Sequence, residues 1–223
     1  MNDLNLKEST HLPILYSLQN CPYAMRARLA LLLCEQTIII RAITLKNKPE
    51  AMLQASPKGT VPVLVLPDGT IIEESFDIML WALETSDPRN LLQYDRHDNH
   101  REIIQLIQRG DDEFKHPLEQ YRAAKRYHRA SEIEWRQQCE VFIQELEQRL
   151  TAHRFFVGNH ASLADYSLIA FMRQFGRVDR KWFATAPYPN VKKWLSTQLQ
   201  SQLYARMMTK HELWNDEAQC CFL

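Results

Sequence analysis

Apolar and polar positions follow one rhythm up to about residue 85 and another after it. Leu12 to Ser17 (LPILYS) predicts a short strand, and Pro13 confines it to a strand start or an edge. Leu18 to Cys21 is a loop. Pro22 then suits the first turn of a helix, where its missing N–H costs nothing. Ala24 to Cys34 (AMRARLALLLC) is rich in strong helix formers, and Met25, Leu29, Leu32 and Leu33 share a face at spacings of three and four. Thr37 to Leu45 is β-branched and predicts a second strand, completing a β-α-β unit. Lys48 to Leu53 is a short helix or turn. Val61 to Leu66 and Thr70 to Glu73 are brief strands around Pro67-Asp68-Gly69, which marks a hairpin. Ser75 to Leu83 is a closing helix whose Ile78, Met79, Ala82 and Leu83 can cover a sheet face. Ser86-Asp87-Pro88 reads as a linker.

Beyond it the period is helical throughout, and no further strand is expected. Asn99 to His116 carries Ile103, Ile107, Gly110 and Phe114 on one face. Leu118 and Tyr121 continue that face past Pro117, where a kink is expected. Ser131 to Leu150 has a stripe of Trp135, Cys139, Phe142, Ile143, Leu146 and Leu150. A third helix runs from about Leu163 to Gly176, and Ser162-x-x-Asp165 fits a reciprocal capping box at its start. A fourth follows Pro189, burying Val191, Trp194, Leu195, Leu199 and Leu203. Trp214 to Leu223 gives no clear pattern.

Composition removes several function classes. The 223 residues hold 27 Lys plus Arg against 27 Asp plus Glu, so the basic excess of a nucleic-acid binder is missing. The local cluster Arg122, Lys125, Arg126, His128 and Arg129 reads as a solvated helix end. Met1 to His11 is polar and lacks an apolar core of a secretory signal, and the apolar runs are too short for a membrane span. Five cysteines do not make a paired disulfide scaffold, which places the chain in a reducing, cytoplasmic setting. The eight histidines have no metal-ligand spacing, and no glycine-rich nucleotide loop is present.

Cys21 is the cysteine in a chemically suggestive place. It precedes a helix, where free N–H groups and the helix dipole favour a thiolate. Ala24 stands where a Cys-x-x-Cys partner would be, so redox chemistry at Cys21 has to be monothiol. Cys34, more than three turns further on, and Cys139 read as core thiols. Cys220 and Cys221 read as exposed and incidental.

Cys21-Pro22-Tyr23-Ala24, Leu45-Lys46-Asn47-Lys48-Pro49-Glu50, Ser56-Pro57-Lys58-Gly59-Thr60-Val61-Pro62-Val63-Leu64, Glu74-Ser75 and Ser162-x-x-Asp165 together resemble the cytosolic glutathione transferases, specifically the cysteine-type, omega-like or glutaredoxin-like branch. The resemblance runs from about Leu12 to about Leu203. It implies an α/β thioredoxin-like N-terminal domain (residues 1–85) that binds glutathione, and an all-helical C-terminal domain (residues 86–223) that contributes a second-substrate site where the two meet. It further implies that Cys21 meets the glutathione sulfur and that Tyr23 lines the pocket beside it. Val61 would pair its backbone with the cysteinyl unit, next to a cis Pro62, in the manner of strand addition. Glu74 and Ser75 would hold the γ-glutamyl end, and Lys48 would meet the glycyl carboxylate, with Lys46 two residues away as the alternative. Ser162 and Asp165 would be the family's folding cap. Tyr16 is a minor rival to Cys21 as the group facing the sulfur. Tyr121, Arg122, Phe171 and Phe175 are candidates for the second site.

The expected function is that of a glutathione-dependent thiol transferase acting through a Cys21 thiolate, with glutathione as co-substrate and no metal. Its other substrate would be a glutathionyl mixed disulfide or a small electrophile. A homodimer is implied by the resemblance, and neither nucleic acid nor a membrane is an expected partner. The alternatives are a transferase that conjugates glutathione to small electrophiles, and a non-catalytic regulatory or assembly module with the same fold.

Overall fold

The computed structural model describes residues 11–215 and 221–223. In chain order the elements are β1 (Ile14–Ser17), α1 (Pro22–Leu33), β2 (Ile39–Ala42), α2 (Glu50–Ala55), β3 (Val63–Val65), β4 (Ile71–Ile72) and α3 (Ser75–Thr85). They continue with α4 (His97–Arg109), a π-helical turn (Gly110–Phe114), α5 (Lys115–Arg126), α6 (Glu132–Ala152), α7 (Leu163–Val178), α8 (Arg180–Thr185), α9 (Pro189–Leu199), α10 (Gln202–Met207) and β5 (Cys221–Phe222). The chain forms two compact units, residues 1–89 with 202–223, and residues 90–201.

In the first unit the sheet order is β4-β3-β1-β2-β5. β1 runs parallel to β2, with Ile14 opposite Ile39 and Tyr16 opposite Arg41. It is antiparallel to β3, with Leu15 opposite Leu64, and the β3–β4 hairpin turns at Asp68-Gly69 as its sequence requires. This is the thioredoxin-like arrangement. α1 ends where Glu35 takes a left-handed conformation and the Gln36 N–H closes onto the Leu31 carbonyl at 3.0 Å.

The resemblance implies an all-helical domain from 86 to 223, but residues 202–215 and 221–223 group with the first unit. α10 packs on α1, burying Tyr204 and Met207. The Trp214 N–H donates to the Ala42 carbonyl at 2.8 Å, and β5 adds an antiparallel strand beside β2. That strand overturns the expectation that none follows residue 89. It is two residues long, below the length at which alternation can be recognised. Because of this return, α1 is covered all round. Ala24 to Leu33 are buried without exception, Arg26 and Arg28 included.

The second unit is helical. Its core joins Phe114, Tyr121, Phe142 and Phe175, whose rings meet at centroid distances of 5.3–6.0 Å. Tyr121, Phe171 and Phe175 are therefore core residues, not an open binding surface. The expected kink lies ahead of Pro117, as the π-turn at Gly110–Phe114. A proline lacks the N–H and crowds the carbonyl four residues back, and the widened turn falls there. Gly110 permits close packing at that turn, since a Cβ would come within 2.6 Å of Leu168 Cδ2.

The capping box at α7 forms. Asp165 is 1% exposed. Its Oδ2 accepts from the Ser162 N–H (2.9 Å) and hydroxyl (3.0 Å). Its Oδ1 accepts from the Phe156 N–H (3.2 Å) and the Trp194 indole N–H (3.1 Å). One carboxylate thus ties together the loop before α7, the end of the α6 connection and α9. The basic cluster at the end of α5 is partly neutralised. Lys125 bridges Glu132 (2.8 Å) and Asp179 (2.7 Å). Cys34 and Cys139 are buried, and desolvation pushes both thiols up to about 12. Cys220 and residues 1–10 lie outside the described residues. No described helix is long and apolar enough to cross a membrane, and no group of three or more His, Cys, Asp or Glu among the described residues could hold a metal.

Candidate active site

The β1–α1 loop places Cys21 at the N-cap of α1, with extended backbone angles and Pro22 in the first helical turn. The Cys21 N–H donates to the Leu18 carbonyl (3.2 Å), and its carbonyl takes the first helical bond from Met25 (2.9 Å). The thiol does not cap the helix. It points to the segment before β3, where the Val61 carbonyl accepts from Sγ at 3.8 Å. Cys21 is half-buried and packs with Leu18 against the cluster of Tyr16, Ile43, Met52, Val61 and Val63.

Val61 precedes a cis peptide bond to Pro62. Its N–H has no hydrogen-bond partner among the described residues, and its carbonyl has only the thiol. A backbone N–H and C=O left open beside a sulfur are the two groups needed to pair with an extended peptide that carries a thiol of its own.

Two loops border this point. The approach to Val61 passes Gly59 at φ +62°, a left-handed position where glycine avoids the Cβ penalty. A Cβ there would meet the Lys48 ammonium at 3.1 Å, so Lys48 lies along this loop while Lys46 is exposed. On the other side Ser75 opens α3 and is buried, with Glu74 at the N-cap. The Glu74 carboxylate is exposed and pairs with Lys58. That pair keeps the Lys58 ammonium more firmly protonated than usual. Ser56 donates to Glu73 beside it. The helix N-terminus at Ser75 favours a negatively charged group, and the Glu74 carboxylate favours a positive one. Together they suit a zwitterionic end.

Tyr23 follows Pro22 on the first turn of α1 and is half-buried. Tyr16 is nearly fully buried, and its hydroxyl accepts from Arg41 Nη1 at 2.6 Å. Sequence reading did not single out Lys58 or Arg28. Lys58 sits inside the motif that carries the resemblance but looks like any surface lysine. Arg28 looks like the polar side of an amphipathic helix.

Comparison with known proteins gives the family and the fold. The family model described as the N-terminal domain of glutathione S-transferase matches residues 20–85, and the C-terminal domain model matches residues 114–201. Together they cover more than half of the chain, and the protein belongs to the glutathione S-transferase family. Among curated relatives, the omega-1 glutathione S-transferase of Sus scrofa is 29% identical over 155 residues, 68% of this chain and 62% of the pig protein. The omega-1 enzyme of Mus musculus is 25% identical over 188 residues, 83% of this chain and 75% of the mouse protein. A glutathione transferase family member of Pseudomonas fluorescens, solved with two glutathione bound, superposes with TM-score 0.79 at 16% identity, covering 89% of this chain and 93% of its own.

Proposed function

We propose that the protein is a glutathione-dependent thiol transferase in which Cys21 is the nucleophile. The observation that carries this reading is the thiol at the α1 N-cap, directed at the Val61 carbonyl beside an open Val61 N–H. Glutathione fits as an added strand. Its cysteinyl N–H and C=O pair with Val61, which sets its sulfur against Cys21. Its γ-glutamyl carboxylate lies at the Ser75 helix start and its ammonium at Glu74, where it displaces Lys58. Lys48 meets the glycyl carboxylate, and Tyr23 flanks the thiol. The similarity to omega-class relatives supports the same choice.

The chemistry balances without a metal. The Cys21 thiolate attacks the glutathione sulfur of a mixed disulfide. That S–S bond breaks, the other thiol leaves as a thiolate and takes a proton from water, and a Cys21–glutathione disulfide forms. A second glutathione thiolate attacks the glutathione sulfur of this adduct, releasing oxidised glutathione and the Cys21 thiolate. The family's homodimer and a cytoplasmic setting belong to the same reading.

The substitution Cys21→Ser tests it with little change of shape. Wild type is expected to reduce the glutathionyl disulfide of 2-hydroxyethanethiol with glutathione as reductant, and Cys21→Ser to lose that activity. Brief treatment with oxidised glutathione is expected to add one group of about 305 Da at Cys21, by its covalent chemistry. Buried Cys34 and Cys139 are expected to stay unmodified in the folded protein. Retained activity in Cys21→Ser refutes the reading. So does a wild type without the adduct at Cys21.

A further inference from the structure

Helices α7, α8 and α9 border an open groove of about 590 Å³ within the second unit. The candidate active-site residues all lie in the first unit, and none of them lines it. The helical period builds the walls. Arg173, Gly176 and Arg177 share one face of α7, and Lys192, Leu195, Ser196 and Leu199 share one face of α9. Between them α8 contributes Arg180 and Phe183. Gly176 lets Phe183 lie against α7, since a Cβ there would come within 2.9 Å of Phe183 Cε1. The Phe183 ring stands nearly perpendicular to that of buried Phe175, at a centroid distance of 5.8 Å.

The charge in the groove has one sign. Arg173, Arg177, Arg180 and Lys192 line it, and no Asp or Glu does, in a chain whose 27 cations balance 27 carboxylates. Among the described residues no carboxylate forms an ion pair with Arg173, Arg180 or Lys192. Asp179, which adjoins Arg180 in the chain, is committed elsewhere. Its Oδ1 accepts from the Trp182 N–H (3.0 Å) and its Oδ2 from Lys125 (2.7 Å). The Lys192 ammonium is fixed at the end of α8, where it donates to the Ala184 (2.9 Å) and Ala186 (2.8 Å) carbonyls. An ammonium has three donors, so one is left for a further acceptor. Like charges gathered around an apolar floor of Phe183, Leu195 and Leu199 raise a positive field in the groove and draw in an anion.

We propose that this groove binds an organic anion that joins an aryl or alkyl body to an oxyanion head of the sulfonate or phosphate kind. The body covers Phe183 and Leu199, both half-buried, and the head lies among Arg173, Arg180 and Lys192. A guanidinium fork matches two oxygens of such a head. The volume falls within the roughly 300–1,000 Å³ of small-molecule sites. A bare inorganic anion would leave the apolar floor wet, and a neutral hydrocarbon would leave the cations uncompensated. An amphipathic anion satisfies both. The site does not depend on Cys21 or on its chemistry.

The test is a fluorescence titration with 8-anilinonaphthalene-1-sulfonate, run beside its uncharged counterpart N-phenyl-1-naphthylamine. Excess S-hexylglutathione is present in one arm and absent in the other, so that probe taken up at the glutathione site shows itself by displacement. Three variants locate the site. The double variant Arg173→Gln/Arg180→Gln removes two of the cations. Ser196→Glu places a carboxylate in the groove from an exposed position, and Thr197→Glu places the same charge next to it, outside the lining. The sulfonate is expected to bind wild type and Thr197→Glu equally, with S-hexylglutathione present. It is expected to bind Ser196→Glu and the double variant at least about tenfold more weakly, the worth of a charged hydrogen bond. The uncharged amine is expected to bind all four proteins alike, and more weakly than the sulfonate binds wild type. Absent binding of the sulfonate overturns the proposal, as does its complete displacement by S-hexylglutathione. Equal affinity for Ser196→Glu and Thr197→Glu also overturns it, as does an amine that binds as tightly as the sulfonate. If the double variant fails to fold, the two exposed substitutions on α9 decide the question.

Discussion

Replacing Asp165 by Asn keeps the shape of the cap and inverts one of its ends. Two donors converge on each carboxylate oxygen, so an amide nitrogen on either side faces groups that cannot accept. The better orientation puts the nitrogen toward Ser162, whose hydroxyl can rotate to accept. The Ser162 N–H is then a buried donor without a partner, at a cost of about 1–3 kcal/mol. The bonds from Phe156 and Trp194 lose their charge assistance, about 1 kcal/mol each. Against this, a buried charge disappears. Desolvation raises Asp165 to about 6, and its four hydrogen bonds only partly oppose that rise. Lifting a carboxyl by about two units is worth about 3 kcal/mol against the ionised form. The net expectation at pH 7 is a loss of about 0–2 kcal/mol for Asp165→Asn and about 3 kcal/mol for Asp165→Ala, which orphans all four donors.

The pH dependence separates this account from a simple cap. A carboxyl whose folded value lies above its unfolded value binds more protons when folded. Its stabilisation is complete below about pH 4 and is lost as pH rises through about 6. Wild type therefore gains on Asp165→Asn by about 1 kcal/mol between pH 7 and pH 5. Urea unfolding of both proteins at matched pH measures it, with unchanged slopes required for the comparison. A gap that narrows on acidification would show that the four donors hold the carboxylate below its ordinary value. An unchanged midpoint of Asp165→Ala at pH 7 would show that the network contributes nothing.

Two further predictions concern binding and packing. Glu74→Ala and Ser75→Ala are each expected to weaken S-hexylglutathione binding by about tenfold or more, the worth of a charged hydrogen bond, measured by calorimetry. Equal affinities in all three proteins would place the γ-glutamyl end elsewhere. Gly110→Ala gains about 1 kcal/mol in helix propensity, but its Cβ meets Leu168 Cδ2 at 2.6 Å and Phe142 Cζ at 3.3 Å. Overpacking at about 1–3 kcal/mol outweighs that gain, and a lowered urea midpoint is expected. A raised midpoint would refute the close-packing role of the glycine.

Much of the local structure around the candidate site was legible because it is built from local signals. Pro22 announces the first turn of α1 and hence the cap position of Cys21. Pro67-Asp68-Gly69 fixes the hairpin, and Ser162-x-x-Asp165 fixes the start of α7 to the residue. What was not legible depends on chain returning from a distance. Periodicity gives α1 one apolar face. The whole helix is buried because residues 202–215 come back over it, and nothing within the helix encodes that return. Arg28 therefore reads as solvated, although it is a buried charge. Tyr121 and Phe175 read as pocket candidates for the converse reason: aromatic type alone does not distinguish a core ring from an exposed one. The irregularity around Pro117 was legible, but its position was not, since a widened turn at Gly110 depends on what Leu168 and Phe142 leave room for.

The choice between thiol transfer and conjugation turns on which group can reach a glutathione sulfur. Conjugation requires a donor that stabilises glutathione's own thiolate and then lets it depart toward an electrophile. A tyrosine hydroxyl supplies such a donor elsewhere in the family, and Tyr16 is its nearest counterpart here. Its hydroxyl is engaged by Arg41 at 2.6 Å. Arg41 in turn lies 4.1 Å over the Trp214 ring, and that ring meets Tyr16 edge-on at 6.1 Å. Tyr16 thus stands in a cation–aromatic stack built by the returning C-terminal segment, with 2% of its surface exposed. To serve a sulfur it would have to leave that stack, giving up a charge-assisted bond of about 1.5–3 kcal/mol and its packing. Cys21 requires no such rearrangement. It is half-exposed, its thiol makes one weak contact to the Val61 carbonyl, and that contact is the one a bound peptide sulfur would replace. The sulfur that is free to move is the one placed to form the disulfide, which favours transfer through Cys21 over conjugation assisted by Tyr16.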